Sequence, residues 1–269
     1  MSKLPLSNAE LLRLAPALFT EEPHFEVSEK YHFIPTIEVI NEIKRNNWYP
    51  VNVSEAKVRD EEKEGYQQHL VRFRHFEDLL HPQENAVELL LFNSHDRSKS
   101  FSISAGIYRF VCSNGLVIAD SVFESYKIKH LGDRENDVAR AVANITAIKP
   151  KLMQKIHTLE SIQLSQLEKE IFAQSSIPLR FEEHLQVDHQ DLLIPHREED
   201  TKDDLYTVLN VIQENLLRGN ISGINKESGR RFTSKEITSI SKDVDINQGL
   251  WDLAENIASI KEPSLMMAA

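Results

Sequence analysis

The sequence predicts an α+β fold: a mainly antiparallel sheet with flanking helices in the N-terminal half, followed by a mostly helical C-terminal part. Three observations carry that expectation. Segments with a two-residue hydrophobic period cluster between Val51 and Ile128, and most of their connections are too short for crossover helices. From about Asp133 the period becomes helical.

Taken in order, Ser7 with Glu10 makes a capping-box pattern, opening a short helix through Leu11, Leu12, Leu14, Ala15 and Leu18 that Pro16 weakens and that ends before Pro23. Tyr31 to Ile34 reads as a strand stub. Thr36 to Asn46 reads as a helix with Ile37, Ile40 and Ile43 on one face, closed by Asn46 and Asn47. Val51 with Val53, His69 to Phe73, Val87 to Phe92, Phe101 to Ile103 and Val122 to Ile128 read as strands. The unbroken apolar run Leu89 to Phe92 suits a central strand buried on both faces, and it ends abruptly in Asn93, Ser94, His95 and Asp96. Ala105 to Val111 reads as a short helix, and Ser113-Asn114-Gly115 as a turn into Leu116-Val117-Ile118, with Gly115 supplying a positive φ.

Val138, Val142, Ile145, Ile148, Leu152, Ile156, Leu159, Ile162 and Leu167 then keep a helical period, which Pro150 must kink or divide. Phe181 to Glu199 is acidic and nearly aperiodic. The last helices are Leu205 to Leu217 and Ile246 to Ile260, the latter with Trp251. The organisation expected is an α+β core with a long helical segment over 1–178, an acidic linker over 179–204, and a helical region with a basic glycine-containing loop over 205–269.

With 41% apolar and 27% charged residues the composition is that of a folding globular chain. No run approaches the ~20 apolar residues of a membrane span, and the first residues lack a signal peptide's apolar stretch. The lone cysteine, Cys112, builds no disulfide framework and reads as a small buried apolar residue. A cytoplasmic location, with no membrane partner, is expected. No fingerprint of a cofactor site occurs, so no cofactor is expected.

A net charge of -11 argues against a surface coated for nucleic acid, but charge is unevenly spread. Arg218, Lys226, Arg230, Arg231, Lys235 and Lys242 stand against only Glu227 and Glu236 between 218 and 242. The same stretch holds three of the chain's eight glycines within the eleven residues Gly219 to Gly229. Glycines let backbone N–H groups approach phosphate, and Arg forks grip phosphate oxygens in pairs, although a solvated surface loop has the same composition. The pattern is not a nucleotide-hydrolysing P-loop, since Arg230 follows Gly229 where Lys is needed. Lys127, Lys129, His130 and Arg134 form a second small basic cluster, with Phe123 and Tyr126 placed for base stacking.

Catalytic candidates are His95, Asp96 and His130 at strand ends, and metal-ligand candidates are Asp96 and Asp120. Neighbours along a strand point opposite ways, so His95 and Asp96 form a dyad only if the turn reorients them; otherwise Asp96 or Ser94 serves the turn by bonding backbone.

Several segments together resemble the phage- and plasmid-like family known as domain of unknown function 932: YHFIPTIEVI, LLFNSHDRSKSFSISAGIYRFVCSNGLV, KIKHLGD, QENLLRGNISG and NQGLWDLAE. The resemblance implies a bacterial protein carried by mobile genetic elements, in a family without an established activity, and it transfers no catalytic residue. The leading expectation is a non-enzymatic accessory protein that binds single-stranded DNA in recombination or annealing, with self-association into a homo-oligomer. The alternatives are a metal-dependent enzyme acting on nucleic acid or nucleotide, and an acidic protein-binding module that counters a host defence.

Overall fold

A computed structural model describes residues 4–27, 33–58, 60–110, 114–117 and 134–261. Side chains of 114–117 and 134–136 are outside that description. The chain divides into two compact units, the first formed by Met1–Phe110 with Ser121–Lys149 and the second by Val111–Asp120 with Pro150–Ala269.

In the first unit, α1 (Asn8–Leu14) starts on the capping box: the Ser7 side chain accepts from the Glu10 N–H, and the Glu10 carboxylate accepts from the Ser7 N–H. Pro16 opens a 3-10 turn instead of continuing the helix. Helix α2 (Thr36–Arg45) buries Thr36, Val39, Ile40 and Ile43, one face at helical spacing. Asn47, at φ 63, turns the chain into β1 (Trp48–Glu55). Strands β2 (His69–His75), β3 (Asn85–Asn93) and β4 (Ser102–Arg109) follow, with the short helix α3 (Phe76–Leu80) after β2. All pairings in the order β1-β2-β3-β4 are antiparallel.

The sheet corrects two local expectations. Ala105 to Val111 is not a helix: Ala105, Gly106 and Ile107 lie in β4, opposite Leu89, Glu88 and Val87. Asn114 and Gly115 open strand β5 (Asn114–Val117) and do not form a turn before it. The strand expected over Val122 to Ile128 lies outside the described residues, as do Tyr31 and His32 of the expected stub; Phe33 and Ile34 are not in a strand.

Every residue of β3 is buried, as the apolar run requires of a strand paired on both sides. One sheet face carries Val71, Phe73, Val87, Leu89, Leu91, Ile103 and Ile107, all buried, and each contributes about 1.5–3 kcal/mol on leaving water. Trp48 closes this core; its indole N–H donates to Thr146 Oγ1 at 3.1 Å. The opposite face holds a buried ionic trio, with Glu88 accepting from Arg72 Nη1 at 2.8 Å and Arg74 Nε at 2.9 Å. The Arg74 guanidinium also lies 3.9 Å from the Tyr108 ring centroid. Gly106, opposite Glu88, brings no side chain onto that face.

Helix α4 (Arg134–Ser161) keeps its helical assignment through Pro150, where the two units divide. In the second unit, α5 (Gln166–Ser176) opens on another capping box, Ser165 with Glu168. The acidic stretch after it holds β6 (Leu185–Val187) and two 3-10 turns over His189–Leu193 and Glu198–Thr201 that pack on α6 (Leu205–Arg218). Every residue of α6 from Leu205 to Leu216 is buried. Buried polar side chains on it find partners: Glu214 accepts two bonds from Arg197, and Asn215 donates to the Leu192 and Ile194 carbonyls. Strands β7 (Ser222–Asn225) and β8 (Arg231–Thr233) complete a small antiparallel sheet, β6-β7-β8. Helix α7 (Ile240–Lys261) starts six residues before the expected Ile246 and buries Trp251. Among the described residues no helix is long and apolar enough to cross a membrane.

Candidate nucleic-acid interface

The basic loop is a β-hairpin. Gly219 ends α6 at φ 77, and a Cβ there would stand 2.6 Å from the Lys235 carbonyl carbon and oxygen. Asn220, at φ 61, donates its N–H to the Ser234 carbonyl at 2.8 Å, which brings β7 back against β8. Asn225 organises the tip: its Oδ1 accepts from the Glu227 and Ser228 N–H groups, at 3.0 and 2.9 Å. Gly229, at φ 66, donates to the Asn225 carbonyl at 2.8 Å. Gly223 makes room for an aromatic ring, because a Cβ there would lie 2.6 Å from Phe232 Cζ. Phe232, in the row that alternates with Ile224 and Arg231, lies 6.3 Å between ring centroids from Phe181 and also lines the hollow beside the sheet.

These bonds change what the glycines are for. The N–H groups of Gly219, Asn220, Asn225, Lys226, Glu227, Ser228, Gly229 and Arg230 all donate within the protein. A backbone cradle for phosphate, as the glycine spacing suggested, is therefore already filled, and the hairpin offers anions its side chains. Lys226, Arg230 and Arg231 on the hairpin and Lys235 just after it are exposed, against two exposed carboxylates, Glu227 and Glu236. Among the described residues none of these four cations is in an ion pair with a carboxylate. Lys226 Nζ reaches the Glu183 carbonyl at 3.3 Å, and the Lys235 carbonyl accepts from Arg180. Arg218 differs: its guanidinium is 2.8 Å from buried Glu214, the carboxylate that also holds Arg197.

The outer side of the sheet is a hollow of about 720 Å³. Gln186, Ile224 and Arg231 form one cross-strand row on it, with Ser222 and Thr233 in the next. Asp188 and His189 stand at its rim.

The first unit brings His95 into a different setting from the one its sequence neighbours suggest. His95 is fully buried, with Nε2 3.4 Å from Thr36 Oγ1. Its neighbour Asp96 caps the turn, where Oδ1 accepts from Ser98 N at 2.9 Å and Ser98 Oγ at 2.6 Å. Burial opposes ionisation of Asp96, but the bonds from Ser98 and Ser94 outweigh it and hold the carboxyl below its ordinary value. Ser94 Oγ likewise accepts from the Lys99 N–H at 2.8 Å. The pair is a turn, not a dyad.

Thr36 is the hub of a cluster the sequence did not reveal. His69 Nδ1 donates to the Gln67 carbonyl at 3.0 Å, so in the neutral ring Nε2 accepts from the Thr36 hydroxyl, 2.8 Å away. Asn93 Nδ2 donates to Thr36 Oγ1 at 3.0 Å and to the Ile34 carbonyl at 3.2 Å. Burial, reinforced by the neighbouring His95, pushes the His69 pKa down to about 3. Burial likewise pushes His95 down to about 4, against weaker upward pulls from the Ala17 backbone and Asp96. Among the described residues His95 Nδ1 has no partner within hydrogen-bond geometry, and the Ala17 backbone is the main-chain polar group that acts on the ring.

Lys127, Lys129, His130, Asp120 and Cys112 lie outside the described residues, and Arg134 is described only as the first residue of α4. Among the described residues no three His, Cys, Asp or Glu side chains are grouped to hold a metal ion.

Fold and surface thus define an α+β protein with a cationic hairpin on its second unit and a neutral, buried histidine pair in its first. The chain belongs to the family described as Domain of unknown function (DUF932), which matches residues 23–251. It is similar to UPF0380 protein YfjQ of Escherichia coli (strain K12), 33% identical over 254 residues that cover 94% of this chain and 92% of that protein. It is also similar to UPF0380 protein YafZ of the same strain, 33% identical over 252 residues, 93% of this chain and 91% of the relative. No solved structure matches.

Proposed function

We propose that the protein is a non-enzymatic accessory factor of a mobile genetic element that binds single-stranded DNA, with the β7–β8 hairpin as its contact surface. One observation carries the reading: Lys226, Arg230 and Arg231 on one short hairpin, with Lys235 just after it, are exposed and, among the described residues, in no ion pair with a carboxylate, in a chain whose net charge is -11. Side-chain cations on such a surface neutralise phosphates without reading sequence, and the acidic remainder repels DNA elsewhere. Annealing or recombination in the cytoplasm is the process this binding serves, with self-association along the strand.

The test is a salt series with a fluorescent single-stranded oligonucleotide. Four neutralised phosphates give a slope of log affinity against log salt of roughly -3 on a single strand. An Arg230→Glu, Arg231→Glu variant should lose most of the binding and flatten the slope. Salt-independent binding, or binding unchanged in the variant, would overturn the reading, and a mass that stays monomeric on DNA would overturn the assembly.

A further inference from the structure

The cations account for phosphates, but they leave the hollow beside them unexplained. Its charged lining is one cation, Arg231, and one carboxylate, Asp188, with His189 Nδ1 3.7 Å from Asp188 Oδ1. It is therefore close to neutral where the hairpin tip is cationic. At its centre Ile224, 44% exposed, is an apolar platform on an otherwise polar strand. The Gln186 amide stands on one side of it and the Arg231 guanidinium on the other, both as direct register partners. Ser222 and Thr233 add hydroxyls one row away. At about 720 Å³ the hollow has the size of a small-ligand site, for which ~300–1,000 Å³ is usual.

We propose that this outer face is a base-binding subsite, taking one unpaired nucleotide of a single strand whose phosphates lie on Arg230 and Lys226. The assignment rests on the single-strand reading above and goes beyond it by placing a base. A nucleobase is flat, uncharged and rimmed by donors and acceptors. It matches an aliphatic platform flanked by an amide and two hydroxyls, with the planar Arg231 guanidinium stacking on the base through its face while its charge still serves an adjoining phosphate. Charge complementarity orders the nucleotide, since the neutral hollow takes the base and the cationic edge takes the backbone. A paired base has its edges and faces occupied by its partner and its stack, so duplex DNA can use only the edge. The subsite therefore selects single strands without selecting sequence.

The experiment compares an oligothymidine with an abasic oligomer of equal length, on the full-length protein. Wild type is expected to bind oligothymidine roughly five- to tenfold more tightly than the abasic oligomer, the lower end of what one stacked base contributes. Ile224→Ser combined with Gln186→Ala should bring the two together while leaving the salt slope unchanged, and Ile224→Val should restore the difference. The melting temperatures of all variants check that the hairpin still folds. Equal wild-type affinities with the salt slope intact would overturn the subsite alone, and no binding of either oligomer would overturn both readings. Thymidine monophosphate should compete only weakly. Competition at oligomer-like concentration would overturn the strand assignment in favour of a free nucleotide.

Discussion

Acid should destabilise the first unit well before its carboxylates titrate. His69 and His95 are fully buried and neutral, with pKa values of about 3 and about 4, whereas an unfolded histidine titrates near 6.5. Both folded values are depressed, so the unfolded chain takes up protons that the folded chain refuses. Stability is thus fully present above about pH 6.5 and falls as pH drops toward 4. Integrating from pH 7 to pH 5 gives about 2 kcal/mol per histidine, or about 4 kcal/mol for the pair, a large share of the 5–15 kcal/mol that holds an ordinary domain. The chain's two tryptophans separate the units for this measurement, since Trp48 is buried in the first and Trp251 in the second. In a Trp251→Phe background, urea unfolding followed by Trp48 fluorescence at several pH values reports the first unit. His69→Gln should halve the pH dependence, and adding His95→Gln should abolish it. A loss below about 1 kcal/mol over this pH range, or an undiminished slope in the double variant, would refute the buried-neutral assignment.

Two further substitutions probe packing. Glu88→Ala removes the buried carboxylate that holds Arg74 Nε and Arg72 Nη1 inside the sheet, and should cost about 3–5 kcal/mol in the same Trp48 assay; an effect under about 1 kcal/mol would mean that water reaches the trio. In the hairpin, Gly223→Ala drives a methyl into the Phe232 ring and the Gln186 carbonyl, whereas Gly229→Ala meets no atom within 4 Å and strains only a left-handed φ of 66. The first should cost about 2–3 kcal/mol and the second about 1 kcal/mol, read from hydrogen exchange of the hairpin amides. Equal costs would remove the role given to the Phe232 packing.

The large sheet was legible where hydrophobic periodicity is strong. His69 to Phe73 read as a strand by its two-residue period and Leu89 to Phe92 as a central strand by its unbroken apolar run, and α6 and the Ser7–Glu10 capping box read equally well, whereas the Ser165–Glu168 box was not read. Ala105 to Val111 misled because Ala and Gly carry no strand preference of their own. What makes this stretch a strand is β3, whose Leu89 and Glu88 need small partners at Ala105 and Gly106. The early start of α7 was missed because Ser241, Lys242, Asp243 and Asp245 dilute its apolar face, although Ile240 and Val244 are buried.

The surface chemistry was legible as composition and illegible as geometry. Glycines at 219, 223 and 229 looked alike in sequence, yet one ends a helix against Lys235, one yields to Phe232 and one completes the turn organised by Asn225. The Asn225-to-Gly229 spacing was a turn signal already present. With the amides spent on that turn, the electrostatic burden moves to four side chains, which is a stronger constraint on any partner than the glycine count. The buried cluster was harder to see because Thr36, His69, Asn93 and His95 come from three distant segments. Only strand register joins them, placing His69 directly opposite Asn93 beneath the start of α2. A histidine buried in such a cluster is held neutral by burial rather than poised for chemistry. The pH dependence of folding is therefore the property in which the first unit's histidines should declare themselves, while the DNA binding proposed for the hairpin should not depend on them at neutral pH.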